Sequence, residues 1–141
     1  MSDFPLFDKH IGVWEGTYTL LDRRTGEVLD RHKSRLTCSI DGTDWHQTNL
    51  YTWDDGRSEE KKFSGKFEDG RLLFDTPRLR GEAVEADEQC IVLRWVYTDA
   101  PEDRYAEIIT LEDAAHRSRT WQHFEKGDFA KVTLIDEKKV G

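Results

Sequence analysis

The chain has 141 residues, of which 36% are hydrophobic and 35% are charged, and its formal net charge is -8. This length predicts a single domain over residues 1–141. No stretch approaches the ~18 consecutive apolar residues of a membrane-spanning helix, and the acidic balance argues against a nucleic-acid partner, which needs clustered Lys and Arg. The first residues, MSDFP, offer neither a basic nor an apolar export segment, so the sequence predicts a cytoplasmic protein with no membrane span.

One short helix is predicted at the start of the chain, from Asp3 to His10. Phe4 and Phe7 are spaced to lie on one side of it, with Ile11 just beyond, so that the helix can pack against a sheet. We expect it to act as a lid or plug on the fold.

After the helix, aromatic and β-branched residues fall into short runs separated by turn signals. Asp41–Gly42, Asp55–Gly56 and Asp69–Gly70 are examples of these signals, which recur at nearly regular intervals. The pattern is typical of an antiparallel meander. Pro77 separates two runs that would otherwise form one bent strand. The ten predicted strands cover residues 11–21, 27–40, 44–54, 59–67, 71–76, 80–86, 88–98, 105–112, 116–125 and 128–138.

Ten short strands joined by hairpins would leave two exposed sheet edges, and closure of the sheet removes both. The predicted fold is therefore all-β: a closed antiparallel up-and-down β-barrel of eight to ten strands with a short N-terminal helix. A barrel of this size has room for side chains and one small ligand. The fold prediction thus favours a function that uses an internal cavity.

Residue types that bind metals are dispersed along the chain. Cys38 and Cys90 lie far apart in apolar runs, and the five histidines do not have metal-ligand spacing. No metal site is predicted, and both thiols are expected to be buried and inert.

One face of the predicted strand 44–54 is aromatic, and we expect it to point into the barrel because successive side chains alternate between the two faces. This orientation also brings two amides inside, where each must find a partner. Two alternatives follow: an amide ladder satisfied by neighbouring side chains, or contact with a ligand. The inward set comprises Trp45, Gln47, Asn49, Tyr51 and Trp53, of which the last four are candidate ligand-binding residues.

Two further strands contribute candidates through the same alternation. On strand 27–40, His32 shares its face with apolar residues and approaches the cavity mouth. On strand 116–125, Arg117, Arg119, Trp121 and His123 share one face. The ligand-binding candidates from these strands are His32, Arg117, Trp121 and His123.

Two arginines that point into a barrel need a carboxylate. Glu107 or Glu82 could supply it, either as a structural buried pair or as part of a pocket for a polar ligand head. Glu107 is therefore also a ligand-binding candidate. The charged end of the last strand, Asp136–Lys139, is expected to be solvated.

The segment Gly12–Trp14 resembles the G-x-W motif that opens the first strand of lipocalins and of the wider calycin superfamily. Four longer stretches are similar to a bacterial lipocalin-like family known mainly as a domain of unknown function. The resemblance implies the barrel fold but no particular reaction. It also implies that Trp14 packs at the closed end of the barrel beneath Arg119, as a structural cation–π pair worth ~1 kcal/mol. The stretches are Gly12–Tyr18, Asp30–Ser34, Gln47–Trp53 and His116–Trp121.

The favoured function is the binding of a small, mostly apolar or amphipathic organic molecule in the barrel, with its polar end held by inward polar side chains. One alternative is an isomerase, cyclase or lyase in the same cavity, with His32, Tyr51, Glu107 and His123 as the possible acids and bases. No cofactor is expected, although some calycin-like barrels bind haem through a late histidine, here His116 or His123.

A third alternative is a structural or interaction protein whose barrel is filled. A cavity on the order of 300 Å³ or more would favour a ligand site over this alternative. We expect a monomer or a homodimer.

Overall fold

The computed structural model describes residues 3–141, which form one short helix followed by ten strands. Each predicted strand is present and ends within two residues of its predicted limits, and strands hold 70% of the chain. The elements are α1 (Pro5–Lys9), β1 (Gly12–Asp22), β2 (Val28–Asp41), β3 (Asp44–Thr52), β4 (Ser58–Glu68), β5 (Arg71–Asp75), β6 (Leu79–Glu85), β7 (Cys90–Tyr97), β8 (Arg104–Asp113), β9 (His116–Glu125) and β10 (Asp128–Lys139).

The strands form a closed antiparallel barrel in which each strand pairs with its neighbours in the chain. The barrel closes where β1 pairs with β10, from Trp14 opposite Lys139 to Asp22 opposite Lys131. Closure leaves no strand of the described residues with a free edge, which is the physical reason for predicting a barrel. The predicted closed up-and-down topology is confirmed.

Alternate side chains of each strand point into the barrel. On β2, for example, Ser34, Leu36 and Cys38 are buried, whereas Arg35 and Thr37 are exposed. The prediction that both thiols are buried is correct for Cys38 only. Cys90 is partly exposed on the outer side of β7, with its Sγ 3.6 Å from Thr110 Oγ1.

Helix α1 covers one end of the barrel. Pro5 opens the helix, where its fixed φ suits the first turn, and the buried side chains of Leu6 and Phe7 point into the barrel end. Phe7 packs edge-to-face on Trp45 and Phe67, with ring centroids 5.9 and 5.3 Å apart. The helix is shorter than the predicted 3–10 segment, but it has the expected role of a plug.

Trp14 is the most enclosed aromatic side chain at this closed end, with 0% of its surface exposed. Its indole Nε1 donates to the His10 carbonyl oxygen over 3.0 Å. The predicted partner above its ring is wrong: the guanidinium of Arg117, not Arg119, lies there, 4.3 Å from the ring centroid.

Strand register explains why Arg117, and not Arg119, lies over Trp14. Arg117 pairs with Glu137 on β10, close to the level at which Trp14 pairs with Lys139. Arg119 lies two residues further towards the open end and instead sits 5.5 Å from the ring of Tyr18.

The expectation about export rested partly on Met1 and Ser2, which lie outside the described residues. Within residues 3–141, no helix is long and apolar enough to cross a membrane.

Replacing Trp14 by alanine is expected to lower the free energy of unfolding by about 3–5 kcal/mol, because it leaves a cavity the size of an indole in the closed end. Urea unfolding followed by circular dichroism measures the change. Trp53→Ala, which removes the same ring from a partly exposed position, should cost less. Equal losses in the two variants would contradict the burial of Trp14.

Candidate ligand site in the barrel

Four charged side chains meet in the interior. Arg117 Nε donates to Glu137 Oε1 over 2.7 Å, and Arg119 Nε donates to Glu107 Oε2 over 2.7 Å. Arg119 Nη1 also lies 3.2 Å from Glu137 Oε2. All four side chains are at most 5% exposed. Two positive and two negative charges cancel here, and each ion has a close partner, as buried charges require.

The partners of the arginines differ in part from those expected. Glu107 pairs with Arg119 as predicted, but Glu82 lies on the outer face of β6 and pairs with Arg71 and Arg94. The expectation that the end of the last strand is solvated is wrong for Glu137, which is only 4% exposed. The inward alternation of β10 continues to this position despite its charged neighbours.

Gly16 leaves space for the Glu137 side chain because it has no Cβ. The two residues are opposite each other on β1 and β10, and a Cβ on Gly16 would overlap the Asp136 carbonyl oxygen and Glu137 Cγ. The next inward residue of β1, Tyr18, accepts a hydrogen bond from Arg119 Nη1 over 2.9 Å. Burial alone would lower the pKa of Arg119, but the neighbouring Glu107, Tyr18 and Glu137 raise it well above its usual value.

His10 connects the ionic cluster to the closed end. Its Nδ1 lies 2.9 Å from Arg117 Nη1. Burial, reinforced by the positive charge of Arg117, lowers the pKa of His10 to about 3. The imidazole is therefore neutral near pH 7, its Nδ1 accepts from Arg117, and its enclosed Nε2 has no partner among the described residues.

Polar side chains of β3 form a ladder along the barrel wall. Trp45 Nε1 donates to Gln47 Oε1 over 3.2 Å, Gln47 Nε2 to Asn49 Oδ1 over 2.9 Å, and Asn49 Nδ2 to the Tyr51 hydroxyl over 2.8 Å. The inward orientation predicted for this face is the one observed. Of the two alternatives for these amides, the structure contains the ladder.

Aromatic rings form two stacks that flank the open end. In the first stack, His123 lies on Tyr105 at 4.3 Å between centroids, and Tyr105 lies on Trp95 at 5.1 Å. These three residues are directly opposite one another on β9, β8 and β7, so the stack is one cross-strand row. Gly81 continues the row on β6, and its lack of a Cβ leaves room for Trp95.

The second stack lies on β1, β2 and β3. Tyr18 and His32 are stacked at 4.9 Å, and His32 lies 4.6 Å from Trp53. Asp30 fixes the outer part of this stack, because it bonds both His32 Nδ1 at 2.9 Å and Trp53 Nε1 at 3.0 Å. Burial alone would raise the pKa of Asp30, but these two hydrogen bonds lower it below its usual value.

Trp121 stands between the two stacks. Its ring meets Tyr18 edge-to-face at 5.7 Å on one side and Trp95 edge-to-face at 5.2 Å on the other. The indole Nε1 is buried and has no hydrogen-bond partner among residues 3–141. Trp121 therefore brings an unsatisfied donor to the centre of the aromatic site.

The space inside the barrel is divided into three connected parts. Two inner cavities of about 60 Å³ each share Gln47, Glu107 and Arg119 in their linings. A cavity of about 260 Å³ lies at the open end and shares Tyr51 and Trp121 with one of the inner cavities. The closed half is thus largely filled by side chains, as the filled-barrel alternative expects. The usable space is at the mouth, where the cavity is slightly smaller than the ~300 Å³ that would favour a ligand site.

The structure places most predicted site residues around this space. Trp53, His32 and His123 line the mouth, Tyr51 and Trp121 join the mouth to the inner cavity, and the amides and Glu107 lie deeper. Arg117 does not reach the mouth, because its guanidinium lies over Trp14 at the closed end. The role of the predicted site residues in ligand binding stays a prediction.

The two histidines considered for haem do not fit that group. His116 is exposed at the start of β9 and bonds Asp113 Oδ1 at 2.9 Å. His123 Nε2 is enclosed, and the His123 ring is stacked on Tyr105. His116 therefore lies outside the cavity, and the Nε2 atom of His123 is not exposed to it. Within residues 3–141, no three His, Cys, Asp or Glu side chains are grouped to hold a metal ion.

Several residues of the site were not predicted from the sequence. Tyr18, Trp95 and Tyr105 carry the two stacks, and each lies on the same face of its strand as buried apolar residues. Alternation alone could therefore have assigned them to the interior. Nothing in the sequence pattern pointed to His10, which follows the helix and lies on no strand.

His10 should make the stability depend on pH. Its pKa is about 3 when folded against 6.5 as the ordinary value, so between these values the unfolded chain binds more protons and the free energy of unfolding falls as the pH falls. The slope amounts to about 1.4 kcal/mol per pH unit. His10→Gln, whose amide oxygen can accept from Arg117 without titrating, should flatten the slope in urea unfolding between about pH 6 and pH 5.

His46→Gln is the control for this experiment, since His46 is exposed on the outer face of β3. It should retain the wild-type slope. An unchanged slope in His10→Gln would mean that His10 also protonates in the folded protein.

Comparisons with solved structures agree with the fold. Residues covering 94% of this chain match 48% of a protein of unknown function from the DUF3598 family of Nostoc punctiforme, with 16% identity and a TM-score of 0.77. The chain therefore spans about half the length of that protein. The whole chain matches 94% of the S-type phycobiliprotein lyase CPES of Guillardia theta, with 13% identity and a TM-score of 0.78.

A third similar structure is EF1p2_mFAP2b bound to DFHBI. The whole of that chain matches 99% of this one, with 11% identity and a TM-score of 0.54. At these identities the likeness concerns the fold. No curated protein gives a significant match. The profile of the N-terminal domain of DUF3598, a domain of unknown function, matches residues 4–141, and the chain therefore belongs to the DUF3598 family.

Proposed function

We propose that this chain binds one small, planar, mostly apolar organic molecule at the open end of its barrel. The observation that carries the proposal is the pair of aromatic stacks on either side of a cavity of about 260 Å³. Ligand sites are typically concave and apolar, with a few placed polar groups. The mouth combines aromatic rings with a charged rim of Asp30, Glu59, Lys61 and Lys131. Trp121, between the stacks, supplies a polar group that lacks a partner among the described residues.

The stacks favour a flat ligand over a globular one. His123 and Tyr105 line the mouth, and Trp95 continues their row into the inner cavity. The interplanar angles between successive rings of this row are 16° and 5°. Aromatic groups gain about 0.5–1.5 kcal/mol from stacked or edge-to-face contacts beyond their area burial. A conjugated ring system makes such contacts with both walls, whereas a branched aliphatic molecule of the same volume does not.

The closed half of the barrel limits how deep the ligand reaches. The inner cavities hold about 60 Å³ each, which is room for a small substituent or a few waters. We therefore assign the ring system to the mouth and a small substituent to the space beside Tyr51 and Trp121. Solved barrels of this shape include one bound to DFHBI and one phycobiliprotein lyase, so the architecture is compatible with the binding of a small molecule.

The hydrogen bonds of the polar side chains fit a binding site better than a catalytic site. Glu107 is held by Arg119, Tyr51 accepts from Asn49, and His32 is bonded to Asp30. Burial lowers the pKa of His123, so the imidazole is neutral near pH 7. Glu107, Tyr51 and His32 thus each have a hydrogen-bond partner of their own, whereas His123 is held by its ring stack on Tyr105.

A polyene dye without polar atoms, diphenylhexatriene, tests the proposal. We expect saturable binding of about one dye per chain with enhanced fluorescence, because the mouth is lined by aromatic rings. Leu20→Trp places a large ring in the mouth, to whose lining Leu20 belongs, and should weaken binding at least about tenfold.

Leu134→Trp is the matched control, since Leu134 is 44% exposed on the outside of β10. It should leave dye affinity unchanged. Absence of saturable binding by the wild type, or equal affinity in all three proteins, would contradict a ligand site at the mouth.

A further inference from the structure

The polar atoms around the mouth include two donors that the protein does not satisfy. The first is the Trp121 indole N–H, which is buried without an acceptor among the described residues. An indole nitrogen can only donate, so no change of tautomer or rotamer of its own ring turns it into an acceptor. A buried donor without a partner costs ~1–3 kcal/mol, and a ligand acceptor would recover that energy.

The second donor is the Tyr51 hydroxyl. Its oxygen accepts from Asn49 Nδ2 over 2.8 Å, and this is the one hydrogen bond that the hydroxyl makes among the described residues. A phenol oxygen that accepts still carries a proton, so its own O–H remains to be donated. Burial raises the pKa of Tyr51, so this proton is retained at neutral pH.

These two donors lie in the same region of the barrel. Tyr51 and Trp121 both line the mouth cavity and the adjoining inner cavity. Both rings also pack on Tyr18, with centroids 5.2 and 5.7 Å away. Both residues therefore border the junction of the two cavities, where a ligand would lie against each of them.

The charge around the junction selects a neutral acceptor. Both arginines are already paired with Glu107 and Glu137, so the cluster has no uncompensated positive charge. The Glu107 carboxylate itself lines the inner cavity. The two lysines of the mouth lining, Lys61 and Lys131, are paired with Glu59 and Glu125. A ligand carboxylate or phosphate at the junction would therefore be desolvated without a free cation and would face the Glu107 carboxylate, which is costly.

From this arrangement we infer that the ligand of the proposed site is a neutral conjugated molecule with a carbonyl oxygen, which accepts hydrogen bonds from both the Tyr51 O–H and the Trp121 N–H. The inference rests on the proposed function, since it requires a ligand at the mouth. It adds the chemical class of that ligand and names the two residues that select it.

Two neutral flat dyes test the inference. Nile red carries a ring carbonyl and emits at longer wavelength when that oxygen accepts a hydrogen bond, whereas diphenylhexatriene has no acceptor. Tyr51→Phe and Trp121→Phe should each weaken Nile red about tenfold and shift its bound emission to shorter wavelength. Each variant should change diphenylhexatriene affinity far less, so the affinity ratio of the two dyes is the measured quantity.

Thr120→Val is the control, because it removes a hydroxyl beside Trp121 in the chain but on the exposed outer face of β9. It should leave the ratio and the emission unchanged. The anionic dye anilinonaphthalene sulfonate should bind more weakly than Nile red.

The outcomes distinguish a failure of the donor pair from a failure of the ligand site. If both neutral dyes bind but the ratio and emission are the same in wild type, Tyr51→Phe and Trp121→Phe, the donor pair is wrong while the ligand site stands. Tighter binding of the anionic dye would overturn the neutral class. If neither neutral dye binds the wild type, the proposed function and the inference fail together.

Discussion

The enclosed guanidinium of Arg119 is the constraint around which the interior is arranged. A cation this deep in a barrel is stable only if its charge is balanced and its donors are used. Glu107 and Glu137 balance the charge of the two arginines, and Tyr18 takes a further Arg119 donor. Gly16 in turn leaves the space that Glu137 occupies. Residues from β1, β8, β9 and β10 are thereby tied to one side chain.

This central cluster divides the barrel into two functional halves. Below it, Trp14, His10 and the helix α1 fill the closed end, and above it the space widens between aromatic rings. Because the charged groups satisfy one another, they leave no net charge for a ligand. In the proposed site, uncharged donors and aromatic rings would therefore contact the ligand, and Asp30, Glu59, Lys61 and Lys131 form a charged rim.

Alternation along the strands was sufficient to predict the fold and much of the lining. The face of β3 that carries Asn49 and Tyr51 was identified because tryptophan and tyrosine on one side of a strand need an apolar environment. The same rule placed two arginines inside, and their need for a carboxylate made Glu107 one of two candidate partners. These inferences succeed because each concerns a single strand or the matching of one charge by another.

The errors arose where neighbouring strands decide the outcome. Which arginine covers Trp14 depends on the stagger between β9, β10 and β1, and no single strand reveals that stagger. Glu137 stands in a run of charged residues, Asp136–Lys139, so composition suggested solvent although alternation pointed inward. Glu82 and Glu107 have similar sequence surroundings, and only the face of the strand distinguishes an outer salt bridge from a central one.

The ladder on β3 has one further consequence. Its members all donate in the same direction, from Trp45 at the closed end to the Tyr51 oxygen. Hydrogen bonds aligned in this way polarise one another, so that each link strengthens the next. Changes at Gln47 and Asn49 are therefore not independent in energy, and the two amides form a single coupled unit. Through it the packing at the plugged end is connected to the hydroxyl that faces the mouth.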